Sequence, residues 1–267
     1  MNFIRSMKSH WIKTKRTPFR NIVTLVPILF PLLILLYIST YTKDYTFQIK
    51  VYQLYFGIVG ISLSGIVSIL TALNIMEEES AGDFRALMNN PMPRKIIFLS
   101  KFFMLVLVVV IDMFISTSIL LLGMKFIYNI TNIQYGIFLE GTLFAIIGSL
   151  FLHGVYFIIA IAFGSGPVFS IGLSGIILGG LLETGLGDRI WQFVPWAWSP
   201  RFPEVPIYSL SGYTKFAKLD NIQGIDNAIK DLYNLYIFRG ISIALIAFIV
   251  IVLVGLVWFE KWEGRKN

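Results

Sequence analysis

Long apolar runs alternate with short polar stretches along the 267 residues, and six runs are long enough, or nearly so, to cross a bilayer. Spanning about 30 Å of hydrocarbon takes roughly 20 residues. The runs lie near Asn21–Thr40, Tyr52–Ile75, Phe102–Phe126, Phe138–Phe163, Pro167–Leu182 and Tyr236–Phe259. The fifth is the shortest and begins after an uncharged turn, Gly164-Ser165-Gly166-Pro167. In lipid only helices and closed barrels satisfy their own backbone groups. These runs lack the polar alternation of a barrel, so the pattern predicts an all-α polytopic membrane protein with six transmembrane helices.

Ahead of the first run, Phe3, Met7 and Trp11 recur every four residues, with Ile4 and Ile12 alongside. Arg5, Lys8, Lys13, Lys15, Arg16 and Arg20 stand among them. An apolar stripe beside basic residues predicts a helix lying in the membrane interface. It is placed over residues 1–20 and broken by Pro18, with a single transmembrane domain over 21–267. Asn21–Ser39 is long for the apolar core of a secretory signal, and no small-residue cleavage site follows it, so the segment is expected to stay as an anchor.

Between the second and third runs lies a charged island, residues 76–101. A short helix is expected inside it, capped by Asp83, with Phe84, Leu87 and Met88 on one face and Arg85 beside them. Asn89, Asn90, Pro91 and Pro93 would end that helix. Glu77, Glu78 and Glu79 fall where the preceding span runs out. Acids at a helix C-terminus oppose its dipole, so they call for a cationic partner or a helix that continues past them. The island reads either as a solvated loop resting on the membrane or as a loop that receives force from a soluble partner.

Composition agrees with the pattern: 56% of residues are hydrophobic and 14% charged, against about 25% charged in soluble domains. Mean hydropathy is +0.75. The net charge of +7 fits attraction to anionic headgroups on an inner membrane face, and no nucleic-acid partner is expected. Lysine and arginine concentrate in the amino segment, the 76–101 loop and the tail, with few in the short opposite loops. The positive-inside rule then places both termini and the loop in the cytoplasm, and residues 183–235 outside.

That outer segment alternates Trp191, Trp196 and Trp198 with Pro195, Pro200, Pro203 and Pro206. Tryptophan favours the headgroup level, and the prolines argue for a broken, compact path. An interfacial or shallow re-entrant element is expected, serving as a membrane anchor or as an outer substrate gate. Within the spans, Gly60, Ser64, Ser68 and Ala72 form a smooth stripe, and Gly175 and Gly179 lie in the fifth run. Such spacings let helices approach closely, within one subunit or between two. Asp112 and His153 are ionisable groups well inside spans and each needs a reason. They could pair, line a substrate path, or be satisfied by neighbouring serines. Glu140, Glu183 and Arg239 sit at span ends, where they can reach water.

Several chemistries lack their residues. Gly180–Gly185 has the glycine gap of a phosphate-binding loop, but Leu186 stands where lysine is needed. There is no cysteine, and the two histidines, His10 and His153, lie far apart, which is poor for a catalytic metal. An intramembrane prenyl-protein-type protease needs an arginine four residues after its second acid. Gly82 and Asp83 stand there instead.

The layout of an amphipathic leading helix, six spans and both ends inside resembles the permease subunit of a type 2 ABC exporter. So does the loop pattern Glu77-Glu78-Glu79, Gly82, Phe84, Leu87, Pro93-Arg94, Ser100-Lys101. The stretch Pro195-Trp196-Ala197-Trp198 is similar to the permeases of lantibiotic (bacteriocin) self-immunity transporters. The resemblance implies that the chain is not itself an enzyme and binds no cofactor, ATP and magnesium being held by partner ATPases at the 76–101 loop. It further implies a second permease, identical or homologous, a path between the two, and an amphiphilic peptide substrate, with drugs or lipids as the alternative.

Overall fold

In the computed structural model, residues 3–82, 84, 92–219 and 224–264 are described. They are mostly helical, and strands are absent among them. A short helix, α1 (Phe3–Lys13), leads into six helices long and apolar enough to span a membrane. These are α2 (Pro18–Ile38), α3 (Phe47–Ser80), α4 (Arg94–Phe126), α5 (Tyr135–Phe163), α6 (Ser165–Glu183) and a final span covering Asn227–Lys261. The protein is therefore all-α with six candidate spans, as the apolar runs predict.

The helices outrun those runs. α3 has 34 residues, about 51 Å at the usual helical rise, so its ends project beyond the hydrocarbon and carry Glu77–Glu79 in the last turns. Pro18 starts α2 at its first position, where its missing N–H costs nothing. Arg16 instead makes the turn, at a φ of 70°. Two further prolines, Pro27 and Pro31, lie inside α2 and are buried.

α5 and α6 are joined through Gly164 alone, at φ 98° and ψ −178°, a region of backbone space that is essentially glycine-only. Pro167 falls in the first turn of α6, which tolerates it.

α3 is the centre of the bundle, and α6 lies along its small-residue face. A Cβ added at Gly172 would stand 1.8 Å from Ser68 Oγ, and one at Gly175 2.2 Å from Ser64 Oγ. The two stripes thus meet within one chain. Ser64 also hydrogen-bonds Tyr156 OH at 2.7 Å and donates to Gly172 O at 3.2 Å. A second hydroxyl network ties α3, α4 and α5: Tyr55 OH with Ser116 (2.9 Å) and Thr117 (3.1 Å), and Thr117 with Thr142 (2.8 Å). The outward faces of α2, α6 and the last span are studded with exposed leucine, isoleucine and valine, the surface that lipid covers.

Beyond α6 the chain breaks into 3-10 turns around α7 (Trp198–Arg201), then α8 (Tyr213–Phe216) and α9 (Ile225–Asn234). A π-helix, Leu235–Ile241, leads into α10 (Ser242–Lys261). The broken path matches the proline pattern. Of the tryptophans, Trp191 and Trp198 are buried inside the protein. Trp191 stacks on Tyr236 at 4.5 Å, Trp198 meets Phe151 at 5.6 Å, and Trp198 donates its N–H to Gln192 O. The stretch fits between helices because glycine admits it. A Cβ at Gly60 would lie 2.4 Å from Pro200 Cα, and one at Gly148 2.6 Å from Ser199 N. Ser199 then donates to Gly60 O at 2.9 Å and Tyr52 OH to Pro203 O at 2.7 Å.

Candidate functional site

At one end of the bundle, α1, the last turns of α3, the first turns of α4 and the end of α10 come together. Glu78 is the hub. Its carboxylate accepts from Lys101 Nζ at 2.9 Å and from Lys13 Nζ at 3.4 Å. The Glu78 and Lys101 side chains are only 7% and 4% exposed, while Lys13 is half-exposed. The acid at the helix end therefore finds cationic partners, one from each neighbouring helix, and α3 stops at Ser80. The cationic partner that the run of acids calls for is thus found for Glu78 inside the chain, while Glu77 and Glu79 are half-buried.

The stripe on α1 is likewise more than apolar. Met7 and Trp11 pack on the core and Phe3 meets Phe103 at 6.1 Å, but Ile4 and Ile12 are exposed. What the helix buries most completely is polar, Ser6 and His10, and Thr14 just past its end continues the four-residue spacing. Ser6 Oγ bonds Ser100 Oγ at 2.7 Å. Burial, then the nearby Lys101 charge, lowers the His10 pKa to about 4, so its ring is neutral at physiological pH.

Phe84 also departs from expectation. It is 3% exposed, has a φ of 64°, and turns its ring edge-on to Trp262 at 5.3 Å. A phenylalanine so placed is an internal anchor, not a surface for docking. Arg94 donates to Trp262 O at 2.8 Å and Glu260 O at 3.0 Å, and Lys95 pairs with Glu260 at 3.2 Å. Both ends of the 76–101 loop are thereby fastened to the end of α10. Asp83, Arg85, Leu87 and Met88, where the short helix is expected, lie outside the described residues.

Deeper in the bundle, Asp112 and His153 are not brought together. Asp112 lines a cavity of about 100 Å³ between α2, α3 and α4, beside Pro27, Ser62 and Ser116. His153 is buried on α5, with Nδ1 at 3.0 Å from Ser149 O.

At the opposite end, a cavity of about 350 Å³ is lined by Tyr52, Glu183, Glu204, Tyr208 and Tyr213. Behind it Arg201 donates to Leu182 O (2.6 Å), Thr184 O (2.7 Å) and Asp188 Oδ1 (2.8 Å), satisfying carbonyls at the end of α6. Burial raises the Glu204 pKa to about 7, against the pull of Arg201. Glu140 accepts from Tyr233 OH instead of reaching for water. Sequence reasoning passed over Arg201 and Glu204; a basic and an acidic residue inside an aromatic, proline-rich stretch were the available signal.

The class is thus a multi-pass helical membrane protein with one end of its bundle organised around buried charge. Residues 7–179 match the model of the ABC-2 family transporter protein, and the chain belongs to that family of membrane transport proteins. No individual curated protein and no solved structure matches it.

Proposed function

We propose that the chain is the permease subunit of an ATP-driven exporter in a bacterial plasma membrane, with both termini and the 76–101 loop cytoplasmic. ABC ATPase subunits bind at that loop and supply ATP and magnesium, and a second permease, identical or homologous, completes the path. The observation that carries this reading is the clamp at the loop's roots. Glu78 pairs with Lys101 across the loop and with Lys13 of α1, while Phe84 and Arg94 hold Trp262 at the end of α10, so a push on the loop is delivered to several spans at once. The favoured substrate is an amphiphilic peptide of the lantibiotic type, expelled for self-immunity. Pro195-Trp196-Ala197-Trp198 supports it, being packed where substrate would leave. Asp112 and His153 act on substrate passage or helix packing, not on the ATPase.

With Phe84 turned inward, the docking face falls to Leu87 and Met88. Burying an unpaired charge at an interface centre costs several kcal/mol. Leu87→Asp with Met88→Asp is therefore expected to weaken ATPase co-purification by about thirtyfold or more, with permease expression unchanged. Retention of the ATPase together with full ATP-dependent peptide extrusion from vesicles would sink the loop contact. Extrusion of dyes or lipids without peptide would move the substrate to the drug or lipid class.

A further inference from the structure

Beside the Glu78–Lys101 pair, the clamp on which the transport reading rests, lies a cavity of about 660 Å³ to which that reading gives no occupant. Its walls come from α1 (His10, Lys13), the end of α3 (Asn74, Glu77, Glu78) and Lys101 of α4. Polar atoms of three of these side chains are buried without a partner: Asn74 Oδ1, Glu77 Oε1 and both ring nitrogens of His10. Asn74 is 2% exposed and His10 7%. Orphaned buried polar atoms are costly, and the three side chains that carry them all line this one cavity.

The charges say what kind of guest suits it. Glu77 and Glu78 face Lys13 and Lys101, and His10, its pKa lowered to about 4 chiefly by burial, adds none. The wall is balanced, so neither a net anion nor a net cation finds a surplus of opposite sign. A zwitterion does. The unpartnered acceptors of Asn74 and Glu77 belong to α3, whereas Lys13, half-exposed, belongs to α1. Thr14 and Thr17 donate to carbonyls of their own turn, at 2.9 and 2.8 Å, Thr17 also bonds the Glu77 carboxylate, and Lys101 donates to Glu78; Lys13 and His10 are the donors on the α1 side. The cavity also sits where the apolar residues of α1 meet the ends of spanning helices, the level at which lipid headgroups lie.

We propose that this cavity holds the headgroup of an aminophospholipid, its ammonium toward Asn74 and Glu77 and its phosphate toward Lys13 and His10. The binding is independent of the transported substrate and of the ATPase.

Full-length protein in nanodiscs of equal phosphatidylethanolamine, phosphatidylcholine and phosphatidylglycerol, released into native mass spectrometry, tests it. Phosphatidylcholine has the same phosphate but methyl groups in place of the N–H donors. Retention of phosphatidylethanolamine over phosphatidylcholine by about tenfold or more is expected. Asn74→Leu should abolish that preference, and so should the isosteric Glu77→Gln, which guards against a folding defect in the first variant. Equal retention of the two lipids, a preference for phosphatidylglycerol, or a preference untouched by both variants overturns the proposal. Displacement of the lipid by water-soluble phosphoethanolamine overturns it too, assigning the site to a soluble zwitterion.

Discussion

Glu78 concentrates the energetics of its end of the bundle in one side chain. Desolvating two charges is expensive, and a buried pair returns the cost only while both partners are present. Removing one partner of such a pair typically costs about 3–5 kcal/mol, whereas replacing both by apolar groups is near neutral. The geometry here makes the two single losses unequal. Glu78→Met leaves Lys101, 4% exposed, without its 2.9 Å partner. Lys101→Met leaves Glu78 with Lys13 at 3.4 Å. Thermal unfolding in detergent should therefore rank Glu78→Met as the worse single variant, at about 3–5 kcal/mol. Lys101→Met should fall clearly short of it, and the double Met variant should return toward the parent. Equal effects of the two singles, or additivity in the double, would show that the pair is not coupled as its burial implies. Part of this was legible: acids at the end of a span demanded cations. Which cations was not, because Lys13 is 65 residues away and looks like any basic residue of an interfacial helix.

At the scale of elements, the long periodic runs were readable and the close approaches were not. Apolar run length alone locates six helices, since lipid dictates what can cross it. α1 was half readable. Its apolar positions announce a helix, but Ser6, His10 and Thr14 look like a solvated face until Ser100, Glu78 and Lys101 arrive from elsewhere in the chain. The tryptophan–proline stretch follows the same rule. Prolines foretell its broken path, while its depth depends on Gly60 and Gly148 of other helices. That dependence predicts a sharp contrast among glycines. Gly60→Ala places a Cβ 2.4 Å from Pro200 Cα, a backbone atom that cannot rotate away. Overpacking of this kind costs about 1–3 kcal/mol or more, and here it should unseat residues 195–204. Gly136→Ala, on the first turn of α5, meets nothing within 4 Å and should be neutral or stabilising by about 0.5–1 kcal/mol. Limited proteolysis within residues 183–219 and thermal melts of both variants measure the contrast. Similar behaviour of the two would mean that the tryptophan–proline stretch does not rest on α3 as described.

For the whole molecule, geometry fixes which loops share an end, and charge decides which end is inside. Ala81 follows α3 directly, and Lys13, Phe84, Arg94 and Trp262 cluster at that same end. Ser211 belongs to the other end. Its backbone N–H donates to Gln134 Oε1 at 2.9 Å, and Lys215 lies over the Tyr45 ring at 4.9 Å. Both Ala81 and Ser211 are exposed, and the length of α3 separates their ends by about 51 Å. The amino segment, the 76–101 loop and the tail hold most of the lysine and arginine that flank spans, so the proposed orientation puts Ala81 in the cytoplasm. The chain contains no cysteine, and single cysteines report without background. A membrane-impermeant thiol reagent on intact cells is expected to label Ser211→Cys and spare Ala81→Cys, with both labelled after permeabilisation. Labelling of Ala81→Cys on intact cells would invert the protein. The loop would then face away from any cytoplasmic ATPase, and the coupling proposal would fall while the fold and the buried Glu78 cluster stood unchanged.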